Sequence, residues 1–172
     1  AKLQAVIWED DHINAKVGAL HPEHCAREVK KRKAQLGIAL DGDADRVVIV
    51  DEKGHTIDGD QLMALIAKNW KEQGTLTKGG IVATVMSNLG LERFLKGLSL
   101  KLERTAVGDR YVVEAMRKLG CNLGGEQSGH LICLDHSTTG DGLVSALMLL
   151  GVMVREAKTL AELAKVMTRY PQ

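Results

Sequence analysis

Short apolar runs alternate along the chain with apolar residues set at helical spacing. Leu3 to Trp8 has the length and composition of a strand. Pro22 and Glu23 then open a polar helix that runs into the basic segment Lys30 to Lys33, with Pro22 where a helix start tolerates it. Leu36 to Leu40 and Val47 to Val50 read as two strands separated by the hexapeptide DGDADR. From Asp60, residues Leu62, Met63, Leu65, Ile66 and Trp70 follow a helical period, and Gly74 supplies the stop. A second series follows: a strand over Ile81 to Val85, a helix over Ser87 to Leu98, a strand over Leu102 to Val107, and a helix over Asp109 to Leu119 ended by Gly120. Asn122 to Gly124 and Leu131 to Leu134 read as short strands around the turn GEQSGH, and Gly142 to Ala157 as a helix. The last helix opens on Thr159 with Glu162 three residues on, a capping-box spacing.

Strands alternating with helices predict an α/β fold of two layered units, each a mixed sheet flanked by helices, meeting near the segment GTLTKG at residues 74–79. Composition narrows the partners. The 172 residues carry 23 Lys plus Arg against 22 Asp plus Glu, a net charge of +1, without the basic footprint of a protein that works on nucleic acid or an anionic membrane. An aromatic content of 3% leaves few rings for stacking on bases, so a small ligand is the expected partner. The longest apolar stretch, Gly142 to Val154, is too short to cross a bilayer. Three cysteines, Cys25, Cys121 and Cys133, make no paired framework, and with no secretory pattern read at the N-terminus they predict a reducing, cytoplasmic setting.

The chemistry concentrates in a few loops. Asp41, Asp43 and Asp45 alternate, and residues two apart in extended backbone project to one side, so three carboxylates are expected to converge and to need a cation. Hard oxygen ligands suit Mg²⁺ or Mn²⁺, and Arg46 adds a permanent positive charge that can pair with phosphate. A calcium-loop count through Glu52 fails, because Arg46 stands where that loop needs Gly and the flanks read as strands. In GEQSGH, Glu126, Ser128 and His130 present an acceptor, a hydroxyl and an imidazole on a tight turn. Such a set suits sugar hydroxyls; read alone, it is more simply a polar hairpin turn, and it gains weight only in company with the other loops. In VGDRYV, Asp109 sits at a strand-to-helix junction as a cap, and Arg110 beside the helix start can bind an anion. TTGDG, Thr138 to Gly142, reads as a cap for the next helix. His21, His24 and Cys25 are zinc-type residues without a second matching pair, and Met148 and Met153 read as core.

DGDADR between two strands, followed in order by VGDRYV, GEQSGH and TTGDG, resembles the α-D-phosphohexomutase superfamily, and the wording is most similar to its bacterial amino-sugar branch. HINAKVGALHPE, DGDQLMALIA and VMSNLGLE add to the resemblance, which covers essentially the whole chain. It implies an isomerase that interconverts glucosamine 6-phosphate and glucosamine 1-phosphate, a phosphoserine donating its phosphoryl group and recovering one from a bisphosphorylated sugar. Asp41, Asp43 and Asp45 would then hold Mg²⁺, and Arg46 would face the phosphoserine or substrate. Glu126 and Ser128 would bind sugar hydroxyls, His130 would transfer a proton, and Asp109 and Arg110 would face the cleft. The serine loop of the superfamily is missing from these residues, as is its C-terminal phosphate-binding domain; Ser87 does not fit the nucleophile motif. The resemblance therefore implies the C-terminal part of a metal-binding second domain over residues 1–77 and a sugar-binding third domain over 78–172, partnered by the remaining mutase domains and a phosphorylated hexose or hexosamine. Mutases of glucose and mannose phosphates, or a non-catalytic module binding Mg²⁺ and sugar phosphate, are the alternatives.

Overall fold

The computed structural model describes residues 16–172, so the expected strand Leu3 to Trp8 lies outside the described residues. Helix α1 (Glu23–Arg32) has Pro22 as its N-cap and stops at Lys33, which turns left-handed. It leads into an antiparallel sheet of β1 (Leu36–Leu40), β2 (Val47–Asp51) and β3 (Thr56–Ile57), in that spatial order. The register runs from Leu36 opposite Asp51 to Leu40 opposite Val47, which leaves residues 41–46 as the hairpin tip. β3 was not expected, since two residues are too few to show a period. Its turn is held by Asp51 Oδ1, which accepts from the amides of Lys53 and His55 at 2.9 and 2.8 Å.

Helix α2 (Gly59–Gln73) is capped by Asp58 in a reciprocal box with Gln61 and ended by left-handed Gly74. Its residues are buried almost all round through Trp70, because α2 packs against α3, α5 and β6 and joins a core that takes in residues of both sheets. A 3-10 turn at Thr77–Gly79 leads to β4 (Gly80–Thr84), α3 (Leu89–Gly97), β5 (Lys101–Thr105), α4 (Asp109–Leu119), β6 (Leu123–Gly125) and β7 (Leu131–Cys133). Helix α5 (Gly142–Glu156) and the short α6 (Leu160–Leu163) follow, the latter with the expected box of Thr159 and Glu162 and a closing 3-10 turn. The second sheet is ordered β5-β4-β6-β7, parallel between β4 and both neighbours and antiparallel between β6 and β7. It is therefore mixed, whereas the first sheet is antiparallel throughout its described strands. β4 is buried along its whole length, as expected of a parallel strand covered on both faces.

Most element ends fall within one residue of expectation, and two differ by two residues. α3 begins at Leu89 and not at Ser87, because the Asn88 side chain caps it by accepting from the Gly90 amide at 2.9 Å. β5 ends at Thr105, leaving Val107 in the loop before α4.

One hydrophobic core crosses both sheets. Val47, Ile49 and Ile57 from the first join Leu62 and Ile66 of α2, Ile81, Leu123 and Leu131 of the second, and Leu149 of α5, with Met148 and Met153 packed against them. A smaller cluster of Val82, Val112, Met116, Cys121 and Ile132 fills the space under α4. Packing is thus continuous past residues 74–79. All three cysteines are free, and burial pushes the Cys133 thiol up to about 12. No helix of the described residues is long and apolar enough to cross a membrane.

Candidate functional site

The acidic trio converges, but through a turn. Ala44 takes the left-handed φ of +58°, its amide donating to the Asp41 carbonyl at 3.1 Å, and this folds the hairpin tip so that oxygens of Asp41, Asp43 and Asp45 lie within 4.8 Å of one another. Simple alternation in extended backbone therefore gave the right convergence for the wrong geometric reason. This is the one group of three or more His, Cys, Asp or Glu side chains among the described residues close enough to share an ion, so the His21, His24 and Cys25 set forms no zinc-type cluster. Arg46 Nε stands 2.8 Å from Asp41 Oδ2 and 3.5 Å from Asp45 Oδ1, and the Arg46 amide donates to Asp41 Oδ1 at 3.1 Å. Three carboxylates against one guanidinium leave two negative charges uncompensated. Asp41 Oδ2 and Asp45 Oδ1, the two oxygens nearest Arg46 Nε, are buried and accept no hydrogen bond of good geometry, so the guanidinium answers their charge without using up their lone pairs. Burial pushes the Asp45 carboxyl above its ordinary range; His130 works against that shift, and the Asp41 and Asp43 charges reinforce it. The arrangement fits a hard divalent cation.

The GEQSGH turn is the tip of the second hairpin, between β6 and β7, and it is clasped to the first. The Val47 amide donates to the Gly129 carbonyl at 3.1 Å, and the Gly142 amide, at the start of α5, donates to the Ala44 carbonyl at 2.8 Å. From the other side, the Gly59 amide at the head of α2 donates to the Gln127 carbonyl at 3.0 Å. A β-carbon on Gly59, Gly129 or Gly142 would collide with backbone across these contacts, so the close approach depends on glycine. The clasp brings His130 Nε2 to 3.5 Å from Asp45 Oδ2, joining the turn to the acidic trio.

Glu126 binds the α4 entry to the same turn: its Oε1 accepts from the Gly108 amide at 3.0 Å, and its Oε2 accepts from the Ser128 hydroxyl at 3.4 Å. Gly108, at a φ of +127°, is the N-cap of α4. Asp109 is therefore not the cap that was expected; it is the first helical residue, and its Oδ1 accepts from the Arg110 amide at 2.6 Å. Arg110 pairs with Glu114 of its own helix at 2.8 Å, and its side chain is 81% exposed. Asp141 does cap α5, accepting from the Val144 amide at 2.9 Å.

Thr84, Met86, Val107, Glu126, Gln127 and Ser128 line an open cavity of about 290 Å³. It lies just beyond the carboxyl ends of β4, β5 and β6, where the connections leave the sheet in opposite directions, the place where open α/β sheets bind ligands. Sequence reading singled out Glu126 and Ser128 but missed Thr84, Met86, Val107 and Gln127. The strand ends at Thr84 and near Val107 were the available signal.

A mixed α/β sheet with a cavity at its switch point, flanked by a hairpin bearing three clustered carboxylates, defines an α/β domain with a candidate ligand site. The chain belongs to the phosphoglucomutase/phosphomannomutase family, within the α-D-phosphohexomutase superfamily: residues 58–170 match the model of the family's alpha/beta/alpha domain III. The match opens at Asp58, the N-cap of α2, and so takes α2 together with the second sheet. Among curated relatives, phosphoglucosamine mutase of Methylobacterium nodulans is 57% identical over 174 aligned residues, covering 100% of this chain and 39% of that protein. The Sorangium cellulosum phosphoglucosamine mutase is 62% identical, covering 94% of this chain and 34% of that protein. The chain thus spans about two fifths or less of the length of these relatives. A phosphoglucomutase/phosphomannomutase family protein from Burkholderia thailandensis superposes with a TM-score of 0.78 at 26% identity, over 86% of this chain and 32% of that one. Aspergillus fumigatus N-acetylphosphoglucosamine mutase, solved with GlcNAc-6P and magnesium, shares the fold with a TM-score of 0.69 at 20% identity, over 91% of this chain and 38% of that one.

Proposed function

We propose that these residues form the metal loop and sugar turn of a phosphoglucosamine mutase, which interconverts glucosamine 6-phosphate and glucosamine 1-phosphate through a bisphosphorylated sugar. The carrying observation is that the oxygens of Asp41, Asp43 and Asp45 converge within 4.8 Å on a hairpin clasped to the turn that bears Glu126, Ser128 and His130. The high identity to phosphoglucosamine mutases supports the amino-sugar substrate over glucose or mannose phosphates. In this reading residues 1–77 serve the metal side and 78–172 the sugar side, with the phosphoryl donor and the grip on the second phosphate supplied by the rest of the mutase, in the cytoplasm.

Asp41, Asp43 and Asp45 would hold Mg²⁺, which neutralises charge on phosphoryl oxygens in transfer reactions. Arg46, fixed along Asp41, keeps its remaining guanidinium donors for a phosphoryl oxygen. Glu126 accepts from two sugar hydroxyls with the Ser128 hydroxyl beside it, while Met86 and Val107 wall the cavity with apolar surface that keeps bulk water from the ring. Asp109 and Arg110 stand at the helix start behind this wall, where Arg110 can leave Glu114 for an incoming anion. His130 faces the acidic trio, where its imidazole can hold or pass a proton at Nε2.

Calorimetric titration of the 172-residue chain tests the reading. Mg²⁺ is expected to release binding heat that Asp43→Ala abolishes, and glucosamine 6-phosphate to bind with loss on Glu126→Ala. Mg²⁺ heat unchanged in D43A, or sugar-phosphate binding unchanged in E126A, overturns it. Mutase turnover by the chain alone is expected to be negligible; full turnover would refute the division of labour.

A further inference from the structure

His130 is the most enclosed polar side chain of the sugar turn and does not line the cavity that Glu126 and Ser128 share. Its side chain is 6% exposed, and its Nδ1 is buried without a hydrogen-bond partner. Gly140 packs against the Nε2 edge of the ring, where a β-carbon would collide with Nε2, Cδ2 and Cε1 at once. Gly140 is itself bridged to Ile132 of β7, and the next residue, Asp141, caps α5. The Nε2 edge of the imidazole is therefore held against backbone and set 3.5 Å from Asp45 Oδ2.

We infer that His130 is a positioning residue for the metal loop: wedged against Gly140, its ring sets the direction of the Asp45 carboxylate and so ties cation binding to the turn that carries Glu126 and Ser128. The inference rests on the metal reading of Asp41, Asp43 and Asp45 and goes beyond it. Asp45 is the ligand that needs such help. Asp41 is fixed by the Arg46 amide at 3.1 Å and Arg46 Nε at 2.8 Å, whereas Asp45 Oδ1 has only the same Nε at the longer 3.5 Å and Asp45 Oδ2 is turned to His130. Groups that orient first ligands from behind are commonly worth 10- to 100-fold in metal affinity. Any coupling carried this way is reciprocal, so the ion also stiffens the sugar turn through the same contact.

The test is a calorimetric Mg²⁺ titration of the 172-residue chain and of its H130A, H130Q, H55A and D43A variants, alongside imidazole-nitrogen NMR on the unsubstituted chain. H130A is expected to bind Mg²⁺ about tenfold more weakly. H130Q, which can place an N–H donor near the position of Nε2, is expected to recover most of that loss. H55A, which removes an imidazole beside the distant Asp51, is expected to leave affinity unchanged. On the unsubstituted chain the His130 nitrogen resonances are expected to move with the same Mg²⁺ midpoint as the heat. Unchanged affinity in H130A, an equal loss in H130Q and H130A, an equal loss in H55A, or His130 resonances that stay fixed through saturation would each overturn the inference, and the last needs no variant to fold. If D43A loses its heat while H130A keeps full affinity, the positioning role falls alone. If D43A binds as well as the unsubstituted chain, the metal reading falls and the positioning role with it.

Discussion

The Val47 amide donates to the carbonyl of Gly129 at 3.1 Å, while the Gly129 α-carbon rests so close to the Val47 carbonyl oxygen that a β-carbon has no room. The first residue of β2 and the fifth residue of the GEQSGH turn are thereby locked face to face, and the two functional hairpins cannot separate without breaking that contact. Gly129 also holds a φ of +95°, where side-chain-bearing residues are strained.

Gly129→Ala is therefore expected to lower stability by about 2–3 kcal/mol, from backbone strain together with the collision. Urea denaturation of the variant checks it. A change below about 0.5 kcal/mol would mean that the turn backs away freely and that the clasp is not tight.

Asp60, fully buried in the first turn of α2, accepts from the Asn88 amide at 2.7 Å and so joins α2 to the cap of α3. Burial pushes its carboxyl above the ordinary range, opposed by the Asn88 amide and the Ser87 hydroxyl. With a raised native value, the folded state holds the proton to higher pH. The stability this group contributes is complete below its unfolded value and is lost as pH rises through the native one. Asp60→Asn keeps an acceptor without the charge and is expected to match or exceed the parent at neutral pH, with a flatter melting profile in mild acid. Asp60→Ala, which strands the Asn88 amide, is expected to cost about 1–3 kcal/mol. Melting curves across pH decide both. An unaltered pH slope in D60N would refute the account.

Glu156 of α5 lies 2.6 Å from Lys68 of α2 and 2.8 Å from Lys158, and these hydrogen bonds hold its carboxyl down to about 2. A lowered native value stabilises above the ordinary carboxylate range, and the contribution is lost as pH falls through about 2. The lysines are solvent-accessible, so Glu156→Gln is expected to cost no more than about 1 kcal/mol at neutral pH. The difference should shrink with added salt and vanish in strong acid. A loss that salt does not touch would point to packing in place of charge.

Asn122 ties the α2-to-β4 connection to the β6–β7 hairpin. Its Oδ1 accepts from the Thr77 amide at 3.0 Å and the Thr77 hydroxyl at 3.1 Å, and its Nδ2 donates to the Thr75 carbonyl at 3.0 Å and to Asp135 at 2.6 Å. Asn122→Asp keeps the acceptors but sets a second carboxylate against Asp135, so it is expected to destabilise at neutral pH and to recover in acid. Asn122→Ala is expected to lose about 2–3 kcal/mol at every pH. Equal and pH-independent losses in the two variants would contradict this assignment of donor and acceptor.

The chain's local grammar carried most of the elements and half of the site. α4 was readable at both ends because a glycine stops it and apolar residues return each turn, and the acidic trio was readable because its members are nearly adjacent in sequence. The cap of α2 was also on the page, in Asp58 followed three residues later by Gln61, but it went unread. What stayed hidden is what tertiary contact decides. Arg110 and Glu114 stand four apart on α4, so their pairing was open to local reading, but nothing near His130 reveals that Gly140 packs against its ring. Gly108, not Asp109, caps α4: its carbonyl accepts from the Tyr111 and Val112 amides at 3.1 and 3.4 Å, while its own amide is held by Glu126, eighteen residues away. The expected seam at residues 74–79 is bridged by α2, whose helical period told of one apolar stripe but not that Asp60, Gln61 and Asn69 on its other faces would be buried as well.

That shared interior has a thermodynamic corollary. A chain whose oily centre threads from Val47 through Ile66 to Leu131 has no internal plane along which half can melt while half survives. Heating should therefore give a single sharp transition, in which the acidic hairpin and the glutamate turn are lost together.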